Sequence, residues 1–296
     1  MTLLFLLAAC THPEGPADAD GAAATTEVIT STVTTPPEPI YDHLPVFRIR
    51  FDGSIPDGSQ ADGTLEVIRD HDGTLDDLDA AAIDAVWPIG IERHGSSSAG
   101  YPKLNLRVEC RESDGSDTAC PLLDLPGASD WVLHGPYCDK ALIRNAFAYT
   151  LGRDVAAGTD VWQPRTAFFE LILNEEYEGV YLLVERVQPD DDRLDVGEPA
   201  PTAAEGDLSG GYILKIDQNR SAGWVTARGT PVDYHEPKAD QITAEQDAWL
   251  KGWWEELERQ LDEGFADPTT RHPHWFPVDE WVDFVLQQEL SSNIDA

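Results

Sequence analysis

Hydrophobic and polar residues alternate with a period of two along much of the chain as far as residue 235, which predicts a strand-rich part. The strongest hairpin signal comes from two β-rich runs, residues 168–173 and 177–187, around Asn174-Glu175-Glu176. Alternating apolar and basic residues predict another strand from Val46 to Phe51. Further strands are predicted at residues 65–68, 87–92, 104–109 and 210–217.

Helical spacing of apolar residues occurs once in the strand-rich part and then dominates after residue 243. Asp139 is the predicted N-cap of a helix that ends near Leu151 and carries Phe147 on its apolar stripe. Thr243 begins a capping box ahead of a second helix, and residues 277–290 predict a third. Strands followed by helices indicate an α+β fold.

Composition adds a strong acidic charge to this picture. The 296 residues include 55 Asp and Glu against 20 Lys and Arg, a net charge of −35. Such a surface repels phosphate, so the sequence excludes nucleic acid as a partner. With 41% hydrophobic residues and nine tryptophans, the chain has enough apolar surface for a large core and is not a disordered protein.

The N-terminal residues are typical of a lipoprotein. The apolar run 3–9 ends at Cys10, and Leu7-Ala8-Ala9-Cys10 resembles a bacterial lipobox, although no Lys or Arg precedes the run. Residues 1–10 are therefore predicted to be a lipoprotein signal with Cys10 as the lipidated residue. Residues 11–42, rich in Ala, Thr, Pro and acidic residues, predict a disordered linker. We expect an exported protein anchored to a membrane of the cell envelope, periplasmic or at the cell surface.

The other cysteines suggest a disulfide. Cys110 and Cys120 bracket a polar stretch that is typical of a hairpin loop, so a bridge between them is plausible and would leave Cys138 free. A metal site is less favoured, because the sequence has no Cys-x-x-Cys pair.

A loop of small residues, 94–100, joins two predicted strands and leads to Tyr101-Pro102-Lys103. Small residues let backbone N–H groups approach an anion, but the same composition is typical of an ordinary flexible loop. Lys103 is either a phosphate ligand or a solvent-facing lysine on the evidence of the sequence alone. His94 and His134 lack the surrounding residues of a catalytic triad.

Five ordered blocks resemble the CotH kinase family, the spore-coat-type atypical protein kinases. The resemblance runs from about residue 44 to the end of the chain. The blocks are residues 95–103, residues 130–145 (Asp130-Trp131-Val132-Leu133-His134-Gly135 onwards), residues 170–185 (Leu173-Asn174-Glu175-Glu176-Tyr177-Glu178-Gly179 at the centre), residues 210–214, and residues 289–296.

This resemblance implies a kinase-like fold of two lobes with ATP between them. The β-rich N-terminal lobe would comprise residues 43–235, and the helical C-terminal lobe would begin in residues 236–296. The loop with Gly95, Ser96 and Ser97 resembles the loop over the phosphates. The other nucleotide-binding residues implied are Lys103 at a phosphate, Arg144 on a helix facing the site, and Glu185 beside the adenine.

The resemblance also implies a catalytic residue, Asp295, which would accept the proton of the acceptor hydroxyl. The family's metal-binding Asp, the ligand of Mg²⁺ or Mn²⁺, follows beyond residue 296. We therefore expect a fragment with an incomplete C-terminal lobe, inactive by itself. The family's hairpin turn usually reads Asn-Gly, so Glu175 predicts a different turn.

Two functions follow as hypotheses. In the first, the whole protein is a kinase that phosphorylates Ser or Thr of exported or surface proteins with ATP. In the second, it is a non-catalytic surface lipoprotein that binds a partner or mediates adhesion through a degenerate kinase fold.

Overall fold

The computed structural model describes residues 44–69, 78, 81–95, 97–157, 161–216, 223–263 and 278–291. The strands are β1 Val46–Phe51, β2 Ala61–Ile68, β3 Ala85–Arg93, β4 Leu106–Cys110, β5 Asp130–His134, β6 Thr166–Leu173, β7 Glu176–Glu185, β8 Ile213–Ile216, β9 Trp224–Val225 and β10 Pro231–Glu236. The helices are α1 Arg144–Val155, α2 Ala244–Asp262 and α3 Val278–Ser291, and a 3-10 helix covers Ser97–Gly100. The α+β class is thus confirmed.

Seven of these strands form a closed barrel in the order β1-β2-β3-β4-β5-β7-β6. Neighbours are antiparallel except β1 and β6, whose parallel pairing closes the barrel. The interior is filled by large side chains with almost no exposure, among them Phe47, Trp131, Phe169 and Tyr181. The sequence predicts the strands from local alternation, but the closure depends on pairing between residues more than 100 positions apart.

The hairpin of β6 and β7 has a two-residue turn, Asn174 and Glu175. Both residues have positive φ angles, +44° and +68°, in the left-handed region. The chain therefore adopts the backbone that Asn-Gly would favour, despite the side chain of Glu175. Arg50 supports the turn by donating from Nε to Glu175 Oε1 at 2.6 Å, and Asn174 Oδ1 accepts from the Phe51 N–H at 3.0 Å.

Helix α1 begins four residues later than the sequence predicts. The prediction of a helix from Asp139 is wrong because the Asp139 carboxylate closes a separate turn ahead of the helix. Its Oδ1 accepts from the Ala141 N–H at 3.0 Å and its Oδ2 from the Arg144 N–H at 2.8 Å. Leu142, with φ of +62°, turns the chain between them. The predicted stripe is also largely exposed, since Phe147 retains 59% of its accessible surface.

A second core joins the small sheet β8-β10-β9 to helix α2. Leu214 and Val232 of the sheet, with Tyr212 just before β8, pack against Leu250 and Trp254 of the helix. The predicted domain boundary at residues 235 and 236 falls inside β10 and therefore within this core. The capping box is confirmed, with reciprocal hydrogen bonds between Thr243 and Gln246.

The sulfur atoms of Cys110 and Cys120 are bonded in a disulfide, and Cys138 is a free, exposed thiol. Both bonded cysteines belong to the barrel core. Among the helices that the structure describes, none combines the length and apolarity needed to cross a lipid bilayer. Cys10 and the predicted linker lie outside the described residues.

Candidate functional site

The loop between β3 and β4 is fastened by a residue that the sequence analysis did not single out, Asn105. Its Nδ2 donates to Ser98 Oγ at 3.2 Å, and its Oδ1 accepts from the Gly135 N–H at 2.8 Å. Its carbonyl oxygen accepts from the His94 N–H at 2.9 Å. Asn105 is 8% exposed, so these bonds lie in a largely water-free place where they are costly to lose. One buried amide thus joins the loop to both neighbouring strands.

Gly95 meets a specific requirement of this loop. Its φ angle is +102°, and a Cβ at this position would lie 2.2 Å from Ser98 Oγ. Any other residue would therefore be strained at this φ angle and would force the Ser98 hydroxyl to move away. Of its two predicted partners, Ser96 lies outside the described residues and Ser97 begins the 3-10 helix.

Lys103 lies at the end of the barrel that carries this loop. Its Nζ donates to the carbonyl oxygen of Glu178 at 3.0 Å and lies 4.5 Å from the centroid of the Tyr181 ring. Burial lowers the pKa of Lys103, and the carboxylate of Glu178 opposes that shift. The ammonium group therefore already has partners within the barrel, and it must leave them to bind a phosphate.

His94 and His134 are adjacent to the same loop, one on each side of Asn105. Burial lowers the pKa of His94 to about 4, with smaller contributions from the charges of Arg186 and Arg107. Burial likewise lowers the pKa of His134 to about 4, and Asp139 opposes the shift. Both rings are consequently neutral at pH 7.

A network of ion pairs covers the outer face of the barrel beside His94. Arg107 donates to Asp130 Oδ1 at 2.6 Å through Nη2 and to Glu92 Oε1 at 2.9 Å through Nη1. Arg186 contributes a second guanidinium, with Nη1 at 3.0 Å from Asp130 Oδ1. Burial would raise the pKa of Asp130, but these two arginines hold it below its ordinary value. Positive groups are thus concentrated here but are matched by carboxylates.

Arg144 occupies the first position of α1, and its side chain is 80% exposed. Its Nε lies 3.6 Å from Asp139 Oδ1, a loose ion pair at the surface. The guanidinium is therefore free to reorient toward a ligand at the start of the helix.

Glu185 is the last residue of β7. Its carboxylate is fully buried and accepts from the Arg165 N–H at 2.7 Å and from Arg165 Nε at 2.9 Å. Arg193, stacked 4.7 Å over the Trp131 ring, completes the cluster with Nε 3.8 Å from Glu185 Oε1.

Lys103 binds one part of β7, and Glu185 lies in another. Six residues of β7 lie between Glu178, whose carbonyl oxygen binds Lys103, and Glu185, so these two glutamates are roughly 23 Å apart along the strand. Lys103 therefore contacts the first part of β7, whereas Glu185 is its last residue. The contact of Glu185 with a nucleotide stays a prediction. Its ion pairs with Arg165 and Arg193 give it a structural role.

Comparison with known families agrees with these observations. The family model described as CotH kinase protein matches residues 91–296, which is more than two thirds of the chain. The chain belongs to the CotH kinase family. The match begins within β3 and includes the β3–β4 loop, Lys103 and α1. A search of curated proteins finds no match.

For a CotH kinase, the described residues hold only part of the expected site. Asp295 lies outside them. Within the described ranges, no group of three or more His, Cys, Asp or Glu side chains is arranged to hold a metal ion. The described donors therefore do not fit Mg²⁺ or Mn²⁺, and we assign no step to a metal.

Sequence reasoning missed Asn105, Arg107 and Asp139 as residues that shape this site. The signal for Asn105 was weak, because one polar residue at the start of a strand is common. The sequence predicted Asp139 as a helix cap, whereas its carboxylate closes the turn that precedes α1.

Proposed function

We propose that this protein is an exported protein kinase that transfers the γ-phosphoryl group of ATP to Ser or Thr hydroxyls of exported or surface proteins. Membership of the CotH kinase family carries the proposal. The β3–β4 loop supports it locally, because Gly95 has a φ angle that favours glycine and Lys103 follows eight residues later. A loop of this kind can present backbone N–H groups to phosphate oxygens.

In this proposal, each charged residue near the loop has one task. Lys103 leaves the Glu178 carbonyl and binds a phosphate oxygen, and the exposed Arg144 adds a second cation. Asp295 accepts the proton of the acceptor hydroxyl and orients its oxygen for attack.

The proposal includes a lipid anchor at Cys10, with residues 11–42 as the tether to the folded part. Cys10→Ser is expected to move the protein from the membrane fraction to the soluble fraction of its host. Retention of the Cys10→Ser protein in the membrane fraction would count against this part of the proposal.

The test of activity uses the protein expressed from its complete reading frame, with γ-labelled ATP, Mg²⁺ or Mn²⁺, and casein as a general acceptor. We expect label in casein with the wild type and at least a hundredfold less with Asp295→Asn, because general base catalysis contributes about 10²- to 10⁴-fold. Asp240→Asn, at an exposed position in a described loop, is the matched control and should keep activity. Equal labelling by the two variants would refute the role of Asp295.

The second candidate is a non-catalytic surface lipoprotein that binds a partner through a degenerate kinase fold. Two observations favour it. The Lys103 ammonium already binds the Glu178 carbonyl oxygen, and the Glu185 carboxylate is already paired with Arg165 in a buried cluster. This candidate predicts no label transfer and no nucleotide binding, with the fold intact.

A further inference from the structure

The loop end of the barrel contains a cavity of about 330 Å³. Part of its wall is apolar and part is polar. The side chains that line it are Phe51, Ile55, Pro102, Leu104, Leu173, Asn174, Glu176, Glu178 and Tyr181. Ring and aliphatic surface of this kind suits a ligand with a hydrocarbon portion.

The charged groups in this wall are negative. Glu176 and Glu178 both line the cavity, separated by one residue at the start of β7. The neighbouring Glu175 does not line it, because its carboxylate is bound by Arg50 at 2.6 Å. The cavity therefore combines apolar surface with two acidic residues.

The same wall already holds an alkylammonium group from within the chain. Lys103 Nζ lies over the Tyr181 ring and donates to the Glu178 carbonyl oxygen. An aromatic face and a carbonyl oxygen are what a desolvated organic cation needs. This part of the wall is thus able to bind an ammonium group.

We propose that this cavity binds the side chain of an arginine or lysine presented by a partner protein. Such side chains bury a hydrocarbon stem and keep a charged head beside polar groups, which matches the apolar surface and the two acidic residues. The net charge of −35 attracts basic partners over a long range. The inference concerns binding only and does not depend on kinase activity.

The test titrates acetyl-Gly-Arg-Gly-amide into the purified protein by calorimetry or NMR, with no nucleotide present. The control peptide carries citrulline, which keeps the shape of arginine without its charge. We expect the arginine peptide to bind about tenfold more tightly, as charge-assisted hydrogen bonds imply. Because nucleotide is absent, a failure here would leave the kinase proposal untouched.

Variants locate the binding. Glu176→Gln and Glu178→Gln should each weaken the arginine peptide at least about threefold, the size of one partly exposed ion pair. Glu175→Gln is the matched control, since it removes an adjacent charge that faces Arg50 instead of the cavity, and it should change the affinity less than twofold. Equal binding of the two peptides, or equal weakening by all three variants, would overturn the proposal.

Discussion

Asn105 holds the backbone of Gly135 through a buried hydrogen bond of 2.8 Å, and thereby fixes the end of β5 against the β3–β4 loop. The same side chain reaches Ser98 inside the loop. The loop proposed to cover phosphates is therefore positioned by one amide, which has no charge and no catalytic role.

Replacing Asn105 with alanine should destabilise the protein. The substitution leaves the Gly135 N–H buried without its acceptor, which costs about 1–3 kcal/mol. Ser98→Ala removes only the bond within the loop and should cost about 1 kcal/mol or less. Urea unfolding monitored by tryptophan fluorescence measures both. Equal losses in the two variants would show that the Gly135 bond contributes little.

The neutral histidines make stability depend on pH in a defined direction. The pKa values of His94 and His134 are about 4 in the folded protein, below the ordinary value near 6.5. Between these values the unfolded chain binds more protons, so the free energy of unfolding should fall as the pH decreases from 6.5 to 4. Each histidine contributes at most about 1.4 kcal/mol per pH unit in that window.

His94→Gln is the variant that checks this dependence. Urea unfolding at several pH values between 4 and 7 should give a shallower slope for the variant than for the wild type, because one titrating group is gone. Burial also lowers the pKa of His235, so the same measurement on a His235→Gln variant tests the effect at a different place in the fold. An identical slope in His94→Gln would mean that His94 titrates normally.

The hairpin turn offers a test of backbone strain. Glu175 has a φ angle of +68°, which costs a residue with a side chain about 1–2 kcal/mol relative to glycine. Glu175→Gly and Glu175→Ala both remove the ion pair with Arg50, so only the backbone differs between them. We expect the glycine variant to be more stable than the alanine variant by about 1 kcal/mol in thermal unfolding. A more stable alanine variant would contradict the left-handed turn.

How far the sequence predicts the fold depends on the range of the interactions. The β6–β7 hairpin follows from alternation within about 20 residues, and it is found nearly where expected. Barrel closure through β1 and β6 could not be read from either strand, since the pairing is set by the twist and packing of the whole sheet. The late start of α1 reflects a local competition in which Asp139 bonds to nearby N–H groups and closes a turn.

The candidate site divides in the same way. Gly95 and Lys103 are near each other because they share one loop, so sequence reasoning locates them together. The sequence analysis assigned Glu185 to the nucleotide site because of its position at the end of the hairpin. In the structure its carboxylate pairs with Arg165 and Arg193, and no local sequence pattern connects these residues to it. Buried ion pairs between residues distant in sequence cannot be predicted from local sequence patterns.

The disulfide should contribute measurable stability. Cys110 and Cys120 are ten positions apart in the sequence. Disulfides typically stabilise the folded state by about 2–4 kcal/mol. The double variant Cys110→Ser and Cys120→Ser should show that loss in urea, whereas Cys138→Ser at the exposed free thiol should show almost none. A loss below about 0.5 kcal/mol in the double variant would contradict this account.

The central claim is that the β3–β4 loop and Lys103 bind the phosphates of ATP. Isothermal titration calorimetry of ATP with the wild type, Lys103→Met and Lys140→Met tests it most directly, since Lys140 is an exposed lysine and serves as the charge-matched control. We predict binding by the wild type and Lys140→Met and at least tenfold weaker binding by Lys103→Met, the loss of roughly one charge-assisted contact. Binding that is equal in all three proteins, or absent from the folded wild type, would contradict the account.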